Sequence, residues 1–225
     1  QSVPLDYLLK IKNHLQSING NLILGVIEKE DGKIFNSAIS LGVSESQNYR
    51  KHHLVPFGEY VPLRGIFGFI YEDLLKIPFN DLSRGPKKQV PMVFEKQKIA
   101  INICYEDVFG NEIIRQLPSA NILLNISNDA WYGDSIAAEQ HLQISQARAI
   151  ETGRVMMRAT NTGVTAFINE KGKVISQMPQ FFTGELTQDI QGFKGNTPFI
   201  KYGHYPIIIL SFLIFIFTLF RSKYK

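Results

Sequence analysis

The chain is poor in cysteine: Cys104 is the only one among 225 residues, so no disulfide can form within the chain and no cysteine-built zinc site can exist. A single thiol says nothing of redox compartment, because an oxidising space tolerates a protein with no pair to oxidise. Dense charge is missing as well. Lysine and arginine number 24 against 20 acidic residues, a net charge of +4 spread without a basic run, which gives no cause to expect nucleic acid as a partner. Repeats and low-complexity tracts are absent. The opening QSVPLDYLLKIKNHL is polar and charged throughout where a secretory signal would be apolar. The hydrophobic share of 44% excludes a disordered chain, and the length suits one domain with an appendage.

What is present is unevenly distributed. Between Pro206 and Phe220 the only polar side chains are Ser211 and Thr218. That stretch falls short of the roughly 20 residues a spanning helix needs. Tyr202 to Tyr205 extend it as an aromatic collar, and Arg221, Lys223 and Lys225 follow as a basic flank. The reading is a transmembrane helix over 205–221 with a basic tail, 222–225, on the cytoplasmic side; the alternative is a buried core helix or strand pair. Residues 1–195 then form a domain on the other face of the membrane, joined by a linker over 196–204. Such a domain, starting at Gln1 without an initiator Met or an export signal, is expected to be the C-terminal part of something longer.

Along that domain, Pro4 to Ile18 has a helical apolar face, and NLILGVIE and IFNSAISLG read as a hairpin joined by KEDGK. RGIFGFIYEDLLK reads as a short helix. A strand near Val90 to Phe94 turns through EKQK into the apolar run Ile99 to Ile103, which ends at Cys104. VFGNEIIRQLP is expected as a helix, ANILLNISN as a buried strand, SIAAEQHLQISQARAIETG as a long helix ended by Gly153, and residues 154–178 as two or three strands. Helices interleaved with buried strands, followed by a hairpin, argue an α/β or α+β sandwich.

Cys104 at a strand end, beside Tyr105, Glu106 and Asp107, is either a small hydrophobe filling a gap or a nucleophile. A cysteine nucleophile needs a base and a positive group for the oxyanion. The segment YRKHHLVPFGEYVPL supplies Lys51, His52, His53 and Glu59 without helical period. The adjacent histidines point to opposite faces of an extended segment and share no metal readily, so neither a metal nor a cofactor is expected. In NISNDAWYGDS, Asn128 and Asp129 suit an Asx turn, and Trp131 and Tyr132 either pack the core or wall a lipid or peptide pocket. Asn161 and Gly163 suit a tight turn.

Taken together, KHHLVPFGEYVPL, SRGP, ICYEDVFG, ISNDAWYGDS, QHLQISQARAIETGR, RATNTGVTAFINEKG and the closing apolar helix resemble the nitrilase superfamily, and within it the apolipoprotein N-acyltransferase family, from about Val3 to the C-terminus. The resemblance implies an α/β fold, a nitrilase-like four-layer αββα sandwich followed by one C-terminal transmembrane helix, in the bacterial inner membrane with the catalytic domain periplasmic. It implies Cys104 as nucleophile, Lys51 as oxyanion cation, Glu59 orienting Lys51 and supporting proton transfer, and Glu106 as a further acidic site residue. Tyr105, Trp131 and Tyr132 would line the entry for acyl chains. The implied partners are a phospholipid acyl donor and, as acceptor, the diacylglyceryl-cysteine amine of an apolipoprotein, with a thioester at Cys104 between the two steps.

One departure stands out. The family's general base is a glutamate in an early Glu-x-x-x-Pro segment; if that proline is Pro4, the glutamate falls just before Gln1, and the chain as written is expected to be inactive alone. Two other readings use the same residues differently: a carbon-nitrogen hydrolase of amidase or nitrilase type, and a membrane-anchored scaffold without catalysis. The loop Gly65 to Phe69 invites a third idea, a mobile lid.

Overall fold

The computed structural model describes residues 4–62 and 82–223. Helix α1 (Leu5–Ser17) sets half-buried Leu8, Ile11 and Leu15 against the first hairpin, with Asp6 in its first turn complementing the helix dipole. Strands β1 (Asn21–Glu30) and β2 (Lys33–Gly42) pair antiparallel over their full length, from Asn21 opposite Gly42 to Glu30 opposite Lys33. The two residues between them, Asp31 and Gly32, both have positive φ, 48° and 74°, which is the turn an Asp-Gly pair makes most readily. A third strand, β3 (Asn48–Arg50), adds to β2. Three residues are too few to show a period, so this segment reads as loop from sequence.

The second sheet has six strands in sequence order: β4 (Met92–Phe94), β5 (Gln97–Ile103), β6 (Ile122–Ser127), β7 (Val155–Thr160), β8 (Thr165–Ile168) and β9 (Val174–Met178). The central three run parallel and the outer pairings are antiparallel. Parallel strands need crossovers. These are the single turn α2 (Gly110–Ile113) and the long helix α3 (Ala137–Thr152), which ends at Gly153 in the left-handed conformation, φ 60°.

Alternation along the strands separates two cores. Ile99, Ile101, Ile103, Ile122 and Leu124 meet Ala38, Tyr49 and Met92 between the sheets. Ala100, Leu123 and Met156 point the other way, onto Ala138, Leu142 and Ala149 of α3. The layer order α1, sheet, sheet, α3 is that of an αββα sandwich.

Differences from the sequence expectation are local. Residues 108–118 do not form one helix: a 3₁₀ turn at Cys104–Val108, α2 and a second 3₁₀ turn at Ile114–Gln116 follow one another. Gln116 is turned inward, its amide accepting from the Ile101 N–H and donating to the Ile101 carbonyl, and Asp107 is fully buried, so side-chain commitments to the sheet override a regular helix. The helix expected over 64–76, and the lid idea, lie outside the described residues.

The segment expected as a linker carries a short helix, α4 (Pro198–Tyr202), capped by Thr197. Thr197 donates to the Glu151 carbonyl and Ile200 packs on the α3 core, which docks the segment on α3. Helix α5 (Tyr205–Lys223) follows where an apolar helix is expected, with nearly all side chains from Ile207 to Phe220 exposed. Among the described residues no helix is long and apolar enough to cross a membrane. At 1.5 Å per residue, the strictly apolar part of α5 reaches only about 22 Å of a core of about 30 Å.

The inter-sheet core makes a direct prediction. Ile101→Ala should cost about 2–5 kcal/mol in urea unfolding, whereas Val93→Ala, at a position 42% exposed, should change stability by less than about 0.5 kcal/mol.

Candidate active site

Because β5, β6 and β7 are parallel, their carboxyl ends open on one rim, where ligands of such sheets collect. Cys104 follows β5, Ser127 closes β6 ahead of the Asn128–Tyr132 turn, and Thr160 closes β7 ahead of Asn161 to Val164. Cys104 has φ 52°, a left-handed backbone that a side-chain-bearing residue adopts at a cost of about 1–3 kcal/mol and that clusters at functional sites. Neighbours hold it there. Asn125 donates to the Cys104 carbonyl at 3.1 Å, and the Ile103 N–H donates to Glu106 at 2.8 Å.

The first sheet contributes the cation. Lys51 follows β3, its backbone tied to the Asn36 carbonyl on one side and to the Gly85 N–H on the other. Gly85 sits so close to the Arg50 carbonyl that no Cβ would fit. The Lys51 side chain is 1% exposed and its ammonium lies 2.8 Å from Glu59 Oε2. Glu59 also accepts from the Val55 N–H and from Asn36 Nδ2, each at 2.8 Å, so both carboxylate oxygens are engaged and the ammonium is fixed in direction.

Glu106 connects the two halves. Its oxygens accept from the backbone N–H groups of His52 (2.7 Å), His53 (3.1 Å) and Ile103 (2.8 Å), and from the Tyr49 hydroxyl at 3.0–3.1 Å. Burial pushes its pKa up, while the three N–H groups and the Lys51 charge pull the other way. Every contact brings a donor, so the group serves as an acceptor that pins the Lys51 segment to the Cys104 turn. The pocket behind it is lined by Tyr49, His52, Lys87, Glu112 and Arg115 among others.

At Cys104 burial dominates and raises the thiol pKa; the Lys51 cation, the neighbouring Ser127 hydroxyl and the Tyr105 backbone N–H act to lower it, and the Asp129 charge raises it further. The resting sulfur is therefore a thiol, with donors in place for the thiolate. Tyr105 stands edge-on to Phe109 and His53, and His53 stacks on Phe109 with centroids 3.6 Å apart. The two histidines part company: His52 Nδ1 meets the Gly85 carbonyl, His53 Nδ1 meets Glu112. Asn128 caps its turn by accepting from the Ala130 N–H. Trp131 is 77% and Tyr132 41% exposed, so neither packs the core. The structure thus brings Cys104, Lys51, Glu59, Glu106 and Tyr105 into one cluster, with Trp131 and Tyr132 on the neighbouring strand-end turn.

Sequence reasoning missed the layer behind the sulfur. His141 of α3 has Nε2 2.9 Å from Asp107 Oδ1 and Nδ1 3.2 Å from Asp129 Oδ1. Arg158 of β7 lies 2.8 Å from Asp129 Oδ2 and 3.5 Å from Asp107 Oδ2, closing a buried ring of alternating charge, with Ser145 donating to Asp107. Burial would lower the His141 pKa, but the two carboxylates outweigh it and raise it to about 9. At Asp129 burial is likewise outweighed, by His141, Ser127 and Arg158, and the net shift is downward. The available signal was the spacing of His141, Ser145 and Arg148 on one face of α3, which hydropathy registers as polar.

Comparison with known proteins places the chain in a family. Residues 2–193 match the profile of the family described as carbon-nitrogen hydrolase. An apolipoprotein N-acyltransferase of Nitrosomonas europaea is 51% identical over 95% of this chain and 43% of its own length, and one of Ralstonia nicotianae is 40% identical over 99% and 43%. The chain therefore spans less than half the length of these relatives. Among solved structures, the NitFhit protein of C. elegans aligns with a TM-score of 0.60 at 17% identity, over 78% of this chain and 43% of that one. A nitrilase-superfamily protein of Saccharomyces cerevisiae gives 0.58 at 16%, over 80% and 63%; at such identities the likeness is one of fold.

Two measurements test the electrostatics. Glu106→Gln places an amide NH₂ against backbone donors and should cost roughly 2–4 kcal/mol in urea unfolding, against about 1 kcal/mol for Tyr49→Phe. The raised His141 pKa contributes stability that is complete below its unfolded value near 6.5 and lost as pH rises through about 9. Wild type should lose roughly 3 kcal/mol across that window and His141→Gln should lack that slope.

Proposed function

Since the chain belongs to the carbon-nitrogen hydrolase family, we propose that it is the catalytic domain of a membrane N-acyltransferase that moves an acyl chain from a phospholipid to the N-terminal amine of a diacylglyceryl-cysteine on an apolipoprotein. The observation that carries the chemistry is a lone cysteine in left-handed backbone beside a buried, carboxylate-oriented lysine. The Cys104 thiol gives up its proton to a carboxylate base, and the thiolate attacks the ester carbonyl. Lys51 and backbone N–H groups hold the tetrahedral oxyanion. The C–O bond breaks, the lysophospholipid alcohol leaves with a proton, and a thioester remains on Cys104. The acceptor amine then attacks that carbonyl, the C–S bond breaks, the sulfur regains a proton, and an amide is formed. Glu59 keeps Lys51 aimed throughout and supports the proton movements.

Tyr105, Trp131 and Tyr132 form the entry for the acyl chain in this reading, which accounts for a tryptophan left exposed at the rim of the cluster. Helix α5 is the membrane anchor in this reading, its apolar side chains from Ile207 to Phe220 entering the bilayer of the inner membrane and Arg221 following as a basic flank, with the catalytic domain at the periplasmic face. What supports this is a helix apolar on every face with almost nothing packed against it.

Incubation of the full-length protein with phosphatidylethanolamine should leave a hydroxylamine-labile acyl adduct in the intact mass of wild type and none on Cys104→Ser. Lys51→Met should slow adduct formation by at least about 100-fold, the scale of losing an oxyanion donor. A folded wild type that takes no acyl group from phospholipid but turns over a simple amide would replace the transferase with a hydrolase.

A further inference from the structure

Ser127 closes β6 beside the nucleophile: the parallel register ends with Ile103 opposite Ile126, so Cys104 and Ser127 are the next residues at the two adjacent strand ends. Its hydroxyl carries one proton and faces two acceptors. The one it bonds is Asp129 Oδ1, at 2.5 Å; the other is the neighbouring Cys104 sulfur, whose thiolate the hydroxyl would favour. It cannot serve both at once. Asp129 has other donors: Arg158 Nη2 at 2.8 Å on Oδ2, and His141 Nδ1 at 3.2 Å on the same Oδ1 that Ser127 uses. Because His141 Nε2 meets Asp107 Oδ1 at 2.9 Å, both ring nitrogens face carboxylate oxygens and both carry protons.

We propose that Ser127 is a further catalytic residue, whose hydroxyl turns from Asp129 to the Cys104 sulfur when the thiolate forms, and that His141 permits the turn by holding the Asp129 carboxylate in its place. This rests on the reading of Cys104 as nucleophile. No covalent bond changes in the step: the Ser127 O–H breaks one hydrogen bond and makes another, and returns when the sulfur is acylated and no longer anionic. A charge-assisted hydrogen bond to sulfur favours the thiolate. It does so only when needed, because Asp129 competes for the proton at rest. The charged groups that act on the sulfur are Lys51 from the first sheet and Asp129 from the turn after β6; those around His141 are Asp107, Asp129 and, across the ring from β7, Arg158.

The test is the pH profile of Cys104 alkylation by iodoacetamide, read by intact mass on the 225-residue chain, in which no second cysteine reacts. Ser127→Ala should raise the midpoint by about one unit, and Ser127→Thr, which keeps the hydroxyl, should restore it. His141→Gln reaches Asp107 but not Asp129 and should raise the midpoint too; His141→Asn keeps a donor for Asp129 and should stay near wild type. The double variant Ser127→Ala/His141→Gln should shift no further than Ser127→Ala, since His141 acts through Ser127. A Ser127→Ala midpoint equal to wild type, or additive shifts in the double variant, overturns the proposal. If the His141 variants do not fold by circular dichroism, the alanine and threonine variants of Ser127 decide alone. Alkylation needs no phospholipid, so these shifts without any acyl adduct would overturn the transferase and keep Ser127. A folded wild type that alkylates at no pH would overturn both.

Discussion

The Glu106 carboxylate joins the two sheets at the point where the chain needs them joined. A buried charge is tolerable only when its oxygens are saturated by donors. Glu106 meets that condition by drawing one N–H from the end of β5, two from the segment that follows β3, and a hydroxyl from β3 itself. Apolar packing between sheets is non-directional and would tolerate sliding. Four hydrogen bonds to one small group do not, so the register between Cys104 and Lys51 is set by geometry rather than by area.

A second constraint sits one layer further in. Asp107, Asp129, His141 and Arg158 place two positive and two negative groups in a buried ring, with the corner carboxylates on the turns that follow β5 and β6. Alternation makes the ring nearly neutral as a whole, yet removing any member leaves an uncompensated charge out of water, which costs about 3–5 kcal/mol. The ring therefore locks the nucleophile turn, the aromatic turn, α3 and β7 into one body. It also explains why the buried face of α3 includes His141 and Ser145 beside apolar Ala138, Leu142 and Ala149.

That exchange of apolar for polar burial marks where the sequence could be read and where it could not. The β1–β2 hairpin was legible because Asp31-Gly32 dictates its turn, and β5 and β6 because each is a short, mainly apolar run followed by polar residues. Cys104, Lys51, Glu59 and Glu106 were singled out by the resemblance of long local motifs to a known family rather than by composition or period, and the structure gathers them in one cluster. The ring was not, since its members lie on four separate elements and each looks like an ordinary solvated side chain: a pairing across 50 residues leaves no periodic trace. β3 escaped for want of length, and the broken helix after Cys104 because Asp107 and Gln116 are claimed by the sheet, a tertiary demand that local propensity does not register.

In the proposed cycle the sulfur has two duties that pull in opposite directions. Attack on an ester asks for a basic, nucleophilic thiolate; departure from the thioester in the second step asks for a stable one. A site that simply depressed the thiol pKa would serve departure and weaken attack. Burial here does the reverse, leaving the sulfur protonated at rest and its thiolate strongly basic once formed, while Lys51, the Tyr105 N–H and Ser127 are arranged around the charge that appears in both transition states. Donors that strengthen only as charge develops lower the barrier without over-stabilising the resting state. A serine whose proton is otherwise held by Asp129 is such a donor, which ties the polarity of α3 to the chemistry of a sulfur on the far side of the sheet end.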